Sequence, residues 1–263
     1  MKKSTQNNIF FSVLLSIFSI SVHAQVGIGT TTPEGMLDLE SSSSGFVFPN
    51  VALTARNRTS PVKNPNGGTV AEGTAVYNTS TTQTGANDVY PGIYVWDGNK
   101  WIAQYIKEDS QKFEQSPLEY RVPLSGGHRA IPGLGNQDFI PKYSGTYRIE
   151  ANFNFGAGEI KDPTGSNSVR MGTQEGYIKL RFDGVNYNIY THAYSIKNDL
   201  INGGTDYEAF RHDSSLILYE DLKAGQAYPF LLTVDVQVAG EFNTDAYVGI
   251  DLPCTVEFTF LEE

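Results

Sequence analysis

A single cysteine, Cys254, stands in a chain of 263 residues. It has no intrachain partner, so an apolar core must hold the fold, and a chain of this length can bury one in one or two domains. Histidine is nearly as scarce, at four. Neither an HExxH nor a GxSxG string occurs, which removes the usual signatures of zinc and serine hydrolases. Basic residues are outnumbered, 19 against 29 acidic, for a net charge of −10. That excludes nucleic acid as a partner, because phosphate binding needs a basic footprint. Long runs with a 3.6-residue apolar period are almost missing. The apolar run from Ile9 to Val22 has 14 residues, short of the roughly 20 a membrane-spanning helix needs.

That run has another use. Lys2 and Lys3 precede it and Val22-His23-Ala24 follows, the order of charged, apolar and small residues that an export peptidase reads. Residues 1–24 therefore read as a signal peptide, with Gln25 as the mature N-terminus and no cysteine there for a lipid anchor. The mature chain is expected to be secreted or otherwise extracytoplasmic, at the cell surface or in the periplasm, with no transmembrane segment. Its first stretch, Ala24 to Leu39, is rich in glycine and threonine. Gly27-Ile28-Gly29-Thr30-Thr31-Thr32 has a threonine where the dinucleotide fingerprint wants its third glycine and no lysine in the Walker position. Nucleotides are cytoplasmic ligands besides, and nothing here calls for a cofactor. Val26 to Thr30, Pro33, Leu37 and Asp38 resemble the VGIGT-x-x-P…LD segment that follows the signal peptide of exported, tail-fibre-like proteins of the Bacteroidetes group. Gly45 to Pro49 and Pro91 to Trp101 are similar to the segments that come after it in such proteins.

Fifteen tyrosines, fifteen phenylalanines and 26 glycines in short alternating runs predict strands and turns, hence an all-β protein. Composition divides it into an N-terminal β-rich module over 25–105, a solvated linker over 106–114 and a C-terminal domain over 115–263. In the module, a turn at Gly98-Asn99 would set Trp96 opposite Trp101 and Val95 opposite Ile102, an aromatic cross-strand pair worth about 0.2–1 kcal/mol. Trp96 and Trp101 are also the candidate ligand-binding residues, since exposed indoles stack on sugar rings.

Patterning is clearer in the C-terminal half. Tyr147, Ile149, Ala151, Phe153 and Phe155 fall on one face of a strand, and Arg148, Glu150, Asn152 and Asn154 on the other. An Asp183-Gly184 turn pairs Phe182 with Val185, Leu180 with Tyr187 and Ile178 with Ile189, so turn chemistry and hydrophobic pattern choose the same register. Phe230, Leu232, Val234, Val236 and Val238 alternate along a later strand, and Val256, Phe258 and Phe260 along the last. Such strands must pack sheet on sheet.

Phe139, Gly145, Tyr147 and Ile149 follow the order F-x5-G-x-Y-x-hydrophobic. This is similar to the signature of the C1q/tumour-necrosis-factor-like jelly rolls, whose members usually have Phe where Ile149 stands. Leu216 to Leu218 followed by Leu222-Lys223-Ala224-Gly225-Gln226 resembles a later strand and turn of that family, with Gln226 in place of its acid. The resemblance implies a ten-stranded jelly roll that assembles as a trimer around an aromatic-lined axis and works by binding. The Asp183-Gly184 hairpin and Leu222 to Tyr228 also resemble PA14-like carbohydrate-binding modules, which implies a monomer that binds sugar.

Catalytic groups do not assemble from the sequence. After export only His128, His192 and His212 remain. His212-Asp213-Ser214 cannot converge as a triad if extended, because adjacent strand residues face opposite ways, and it reads as a surface loop. Oxygen-rich loops at Asp162 to Asn167 and Asn202 to Asp206 are explained by turn chemistry without a metal. The leading expectation is a non-enzymatic adhesin or fibre-tip-like protein with a homotrimeric jelly-roll head and a surface glycan or protein as ligand. The alternatives are a monomeric carbohydrate-binding module and, third, a glycan-directed hydrolase.

Overall fold

The computed structural model describes residues 25–124, 126–161, 167–200, 204–208 and 210–262, and among them there is no helix. The leader assigned to residues 1–24, most of the loop at Asp162 to Asn167 and the first two residues of that at Asn202 to Asp206 lie outside the described residues. The chain divides at Pro49, with Asn50–Glu263 as the second compact unit. The first unit holds two short parallel strands, β1 (Val26–Ile28) and β2 (Leu37–Leu39). The N–H of Val26 donates to the Met36 carbonyl and the N–H of Glu40 to that of Ile28, extending the pairing at both ends.

The second unit opens with a four-stranded sheet, β3 (Asn50–Val51), β4 (Ala75–Asn78), β5 (Gly92–Trp96) and β6 (Trp101–Ala103), in that spatial order. The expected hairpin is present: Trp96 pairs with Trp101 and Val95 with Ile102. Its loop is fixed locally, because Asp97 Oδ1 accepts the N–H groups of Asn99 and Lys100 at 2.8 and 2.6 Å. Leu53, Val70, Val76, Val89 and Tyr94 close over the two indoles to make a small core.

The remaining strands are β7 (Ser110–Glu114), β8 (Tyr120–Val122), β9 (Arg129–Ala130), β10 (Gln137–Phe139), β11 (Gly145–Gly156), β12 (Val169–Phe182), β13 (Val185–Asn198), β14 (Thr205–Tyr207), β15 (His212–Leu222), β16 (Tyr228–Val236), β17 (Ala246–Val248) and β18 (Thr255–Glu262). Their pairing is nested. β12 pairs with β13, β11 with β15, β10 with β16 and β7 with β18, all antiparallel. A ribbon paired in this way and folded over on itself splits into two facing sheets, β7-β18-β11-β15 and β10-β16-β12-β13, which is the jelly-roll arrangement. The alternating residues predicted to face inward do so: Tyr147, Ile149, Ala151, Phe153 and Phe155 from one sheet meet Ile178, Leu180, Phe230, Leu232 and Val234 from the other. Phe258 sits among Phe139, Phe230, Phe182 and Phe113, with ring centroids 4.0 to 6.0 Å away.

Three expectations need correction. Ser110–Glu114, placed in the linker, is the first jelly-roll strand; only Phe113 of its five residues packs on the core, so an edge strand with charged outer residues reads as solvated chain. Val238 lies beyond the end of β16 and is exposed. His212-Asp213-Ser214 opens β15 rather than a loop, although the alternation that keeps the three apart holds.

The Asp183-Gly184 hairpin has the register expected, with Phe182 opposite Val185 and Ile178 opposite Ile189, but Val185, expected to face inward with its partner, is 54 % exposed beside the turn. Asp183 and Gly184 have φ of +43° and +84°, the two positive values that a type I′ turn demands. Nothing lies within 4 Å of a Cβ built on Gly184, so its requirement is conformational and not steric. Gly184→Val is expected to destabilise the domain by about 1 kcal/mol or more, because a β-branched residue resists that φ. An unchanged melting temperature would refute this.

Candidate functional site

The small sheet is joined to the jelly roll by carboxylates and tyrosines. Asp88 is 1 % exposed. Its Oδ1 accepts the hydroxyls of Thr82 and Thr84 and the N–H groups of Thr84 and Gly85 at 2.7 to 3.3 Å. Its Oδ2 accepts the Ser144 hydroxyl at 2.6 Å, and that hydroxyl in turn accepts the Ala224 N–H at 3.0 Å. The Ser144 N–H donates to the Tyr90 hydroxyl at 3.1 Å, and the Tyr90 and Tyr143 rings meet edge to face at 4.9 Å. Lys107 Nζ lies over both rings, 4.9 and 5.6 Å from their centroids. Beside them, Asp109 Oδ2 accepts the Tyr147 hydroxyl at 2.6 Å and the Lys142 N–H at 2.8 Å. One connected polar joint therefore fixes the loops of the small sheet on the β10–β11 and β15–β16 turns.

The signature residues have structural places. Phe139 ends β10, stacked on Phe258; Gly145 opens β11; Tyr147 and Ile149 point into the core from β11, and the Tyr147 hydroxyl reaches the joint. Gly225 turns the chain between β15 and β16 with φ +73°, against the Gln83 amide. The indoles are not a platform. Trp101 is fully buried with its Nε1 donating to the Arg58 carbonyl at 2.8 Å, and Trp96 is 6 % exposed, so neither ring face is open to a sugar. Trp96 forms part of the wall of a hollow of about 490 Å³ together with Pro61, Val62, Lys63 and Val70. The His212 Nδ1–H donates to the His192 carbonyl at 2.7 Å, and the two imidazoles lie 4.9 Å apart. Asp213 turns outward to Arg211 instead. Among the described residues no group of His, Cys, Asp and Glu side chains could hold a metal ion.

Phe139, Phe153, Phe155, Phe182, Phe230, Phe242 and Phe258 are buried, whereas several tyrosines face outward. Tyr177, Tyr190 and Tyr194 line the outer face of β12 and β13 around His192, with successive centroids 5.5 to 5.8 Å apart. The period-2 pattern predicts which residues of β12 leave the core, but a surplus of tyrosine in the composition does not say which strand carries it. Asp88 and Ser144 gave no sequence signal as partners, because they stand 56 residues apart.

Burial favours the neutral form of one thiol and several tyrosine hydroxyls. The Cys254 thiol is pushed up to about 11 by burial. The hydroxyl of Tyr147 is raised by burial and by its bond to Asp109, that of Tyr105 by burial and its contact with Tyr94, and that of Tyr90 chiefly by burial. Groups whose proton is held more tightly in the folded state contribute stability that is fully present below their ordinary values and lost as pH rises through the raised ones. The contribution of these groups to the melting temperature is therefore expected to be constant below about pH 9 and to be lost progressively as pH rises above it. Native Cys254 is expected to resist a thiol reagent at about pH 8 and to react on unfolding. Full labelling of folded protein would refute this.

Residues 27–114 match a family model described as a phage tail like trimerisation region. The match takes in β2 to β7 and leaves the rest of the jelly roll outside it, and it supports a tail-fibre-like protein. No curated protein matches the chain. No helix among the described residues is long and apolar enough to cross a membrane.

Proposed function

We propose that this chain is an exported, non-enzymatic, tail-fibre-like protein that works as a homotrimer, with its C1q-like jelly-roll domain as the head of a surface adhesin or fibre tip. The observation that carries the reading is the match of residues 27–114 to a trimerisation region. The nested strand order behind it supports a jelly-roll head, and the outward tyrosines of β12 and β13 offer such a head an aromatic surface for protein or glycan contacts. The leader-like residues 1–24 support export.

Mass in solution tests the assembly. Light scattering on the chain at micromolar concentration should return three times the mass of a single chain, 28.9 kDa for all 263 residues and less once the leader is removed. A monomer would overturn the reading and leave a monomeric carbohydrate-binding module in its place. N-terminal sequencing of exported material should begin at Gln25; an intact Met1 in the cytoplasm would overturn export.

A further inference from the structure

The first unit places its apolar side chains on one side. In the parallel register Val26 stands beside Leu37 and Ile28 beside Leu39, so these four share one face of the pair, while Gly27 and Asp38 share the other. All four are exposed, at 43 to 58 %. Phe46 and Val47, exposed at 61 and 79 %, continue the surface, and with Ile28 and Leu39 they line a hollow of about 380 Å³. The polar side, by contrast, is locally satisfied: Asp38 accepts the Glu34 N–H at 3.0 Å. A two-stranded sheet of three residues a strand cannot sustain such a face in water by itself.

We infer that this face is where copies of the chain meet, three strand pairs packing Val26, Ile28, Leu37 and Leu39 against one another with Gly27 and Asp38 turned outward. The inference rests on the homotrimer reading and says which surface makes the trimer. A second copy is the fitting occupant for two reasons. Three of its four residues, Ile28, Leu37 and Leu39, lie in the stretch matched to a trimerisation region, and Val26 immediately precedes it. The chain is also acidic, at −10, so copies repel one another wherever charged surfaces approach, whereas the four aliphatic positions carry no charge. A closed threefold arrangement covers every such face and leaves no open end.

The test uses the full chain with Ile28→Asp and Leu39→Asp together. Six carboxylates would then converge on the axis, and the association constant is expected to fall by more than 100-fold, so that light scattering at micromolar concentration returns the single-chain mass. The unfolding midpoint read by Trp96 and Trp101, which lie in the other unit, should stay within that of the wild-type chain dissociated by dilution. If the wild type is a trimer and the double variant remains one, this surface is not the assembly site, and the homotrimer reading survives with its interface elsewhere. If the wild type is itself a monomer, both readings fall. A second measurement does not depend on breaking anything: Ile28→Cys labelled with pyrene should give excimer emission in the native trimer, with buried Cys254 unlabelled. A trimer that shows only monomer emission would overturn the inference.

Discussion

Asp88→Ala should lower stability by about 3 kcal/mol or more and uncouple the small sheet from the jelly roll. One carboxylate there accepts four bonds on Oδ1 from residues 82–85 and a fifth on Oδ2 from Ser144. Removing it leaves two N–H groups and three hydroxyls without this acceptor; exposed Thr84 can turn to water, but the Ser144 hydroxyl is buried, and an orphaned buried donor costs about 1–3 kcal/mol. Relaxation of the 82–85 loop will recover part of that. The coupling is easy to read because the chain has two tryptophans, and both lie in the core of the small sheet. In the wild type, tryptophan fluorescence and far-ultraviolet dichroism should report one urea transition. In Asp88→Ala the fluorescence transition should move to lower urea and separate from the dichroism. Ser144→Ala should shift both together by a smaller amount, since it removes one bond to Asp88 and one from Ala224. Coincident transitions at the wild-type midpoint in Asp88→Ala would show that the joint contributes nothing.

Features fixed by neighbours in sequence were legible from sequence. Period-2 alternation located the buried face of β11, and a two-residue Asp-Gly turn fixed the β12–β13 register to the residue, because both depend on a few adjacent positions. Nested pairing was not legible in the same way. β7 and β18 stand at opposite ends of the domain, and no local signal links them. The same non-locality misled the reading of Ser110–Glu114, which turns one phenylalanine inward and keeps Lys112 and Glu114 in a solvent-facing ion pair. For the indoles the pairing was correct and the exposure was not. What buries Trp101 is the irregular segment around Leu53 and Arg58, whose path a pattern of strands does not reveal. The joint illustrates the limit most plainly: Asp88 reads as one more turn residue until Ser144 is brought beside it.

Gln115→Leu should cost about 2–4 kcal/mol, although it swaps one buried side chain for another of similar volume. Gln115 is 4 % exposed and stands just after β7. Its Nε2 donates to the carbonyls of Pro117 and Val248, each at 3.1 Å, and its Oε1 accepts the Cys254 N–H at 3.3 Å. Main-chain bonding runs alongside, with the Gln115 N–H donating to the Cys254 carbonyl at 2.8 Å. One amide thus satisfies three backbone groups from three segments at the end of the sandwich. Leucine satisfies none of them, and leaving them unpaired away from water costs more than the added apolar contact returns. Room to adjust is lacking, because Gly249, at φ +73°, packs directly against this amide. Gln115→Glu should be worse at neutral pH, since its carboxylate would face the Pro117 and Val248 carbonyls with no proton to donate, and should regain stability on acidification as that carboxyl protonates. Urea midpoints at about pH 7 and pH 5 measure both effects. Cys254 supplies a local readout, because opening of this corner should raise its rate of reaction with a thiol reagent ahead of global unfolding. A Gln115→Leu chain with the wild-type midpoint and a still-protected thiol would mean that the three backbone groups find other partners.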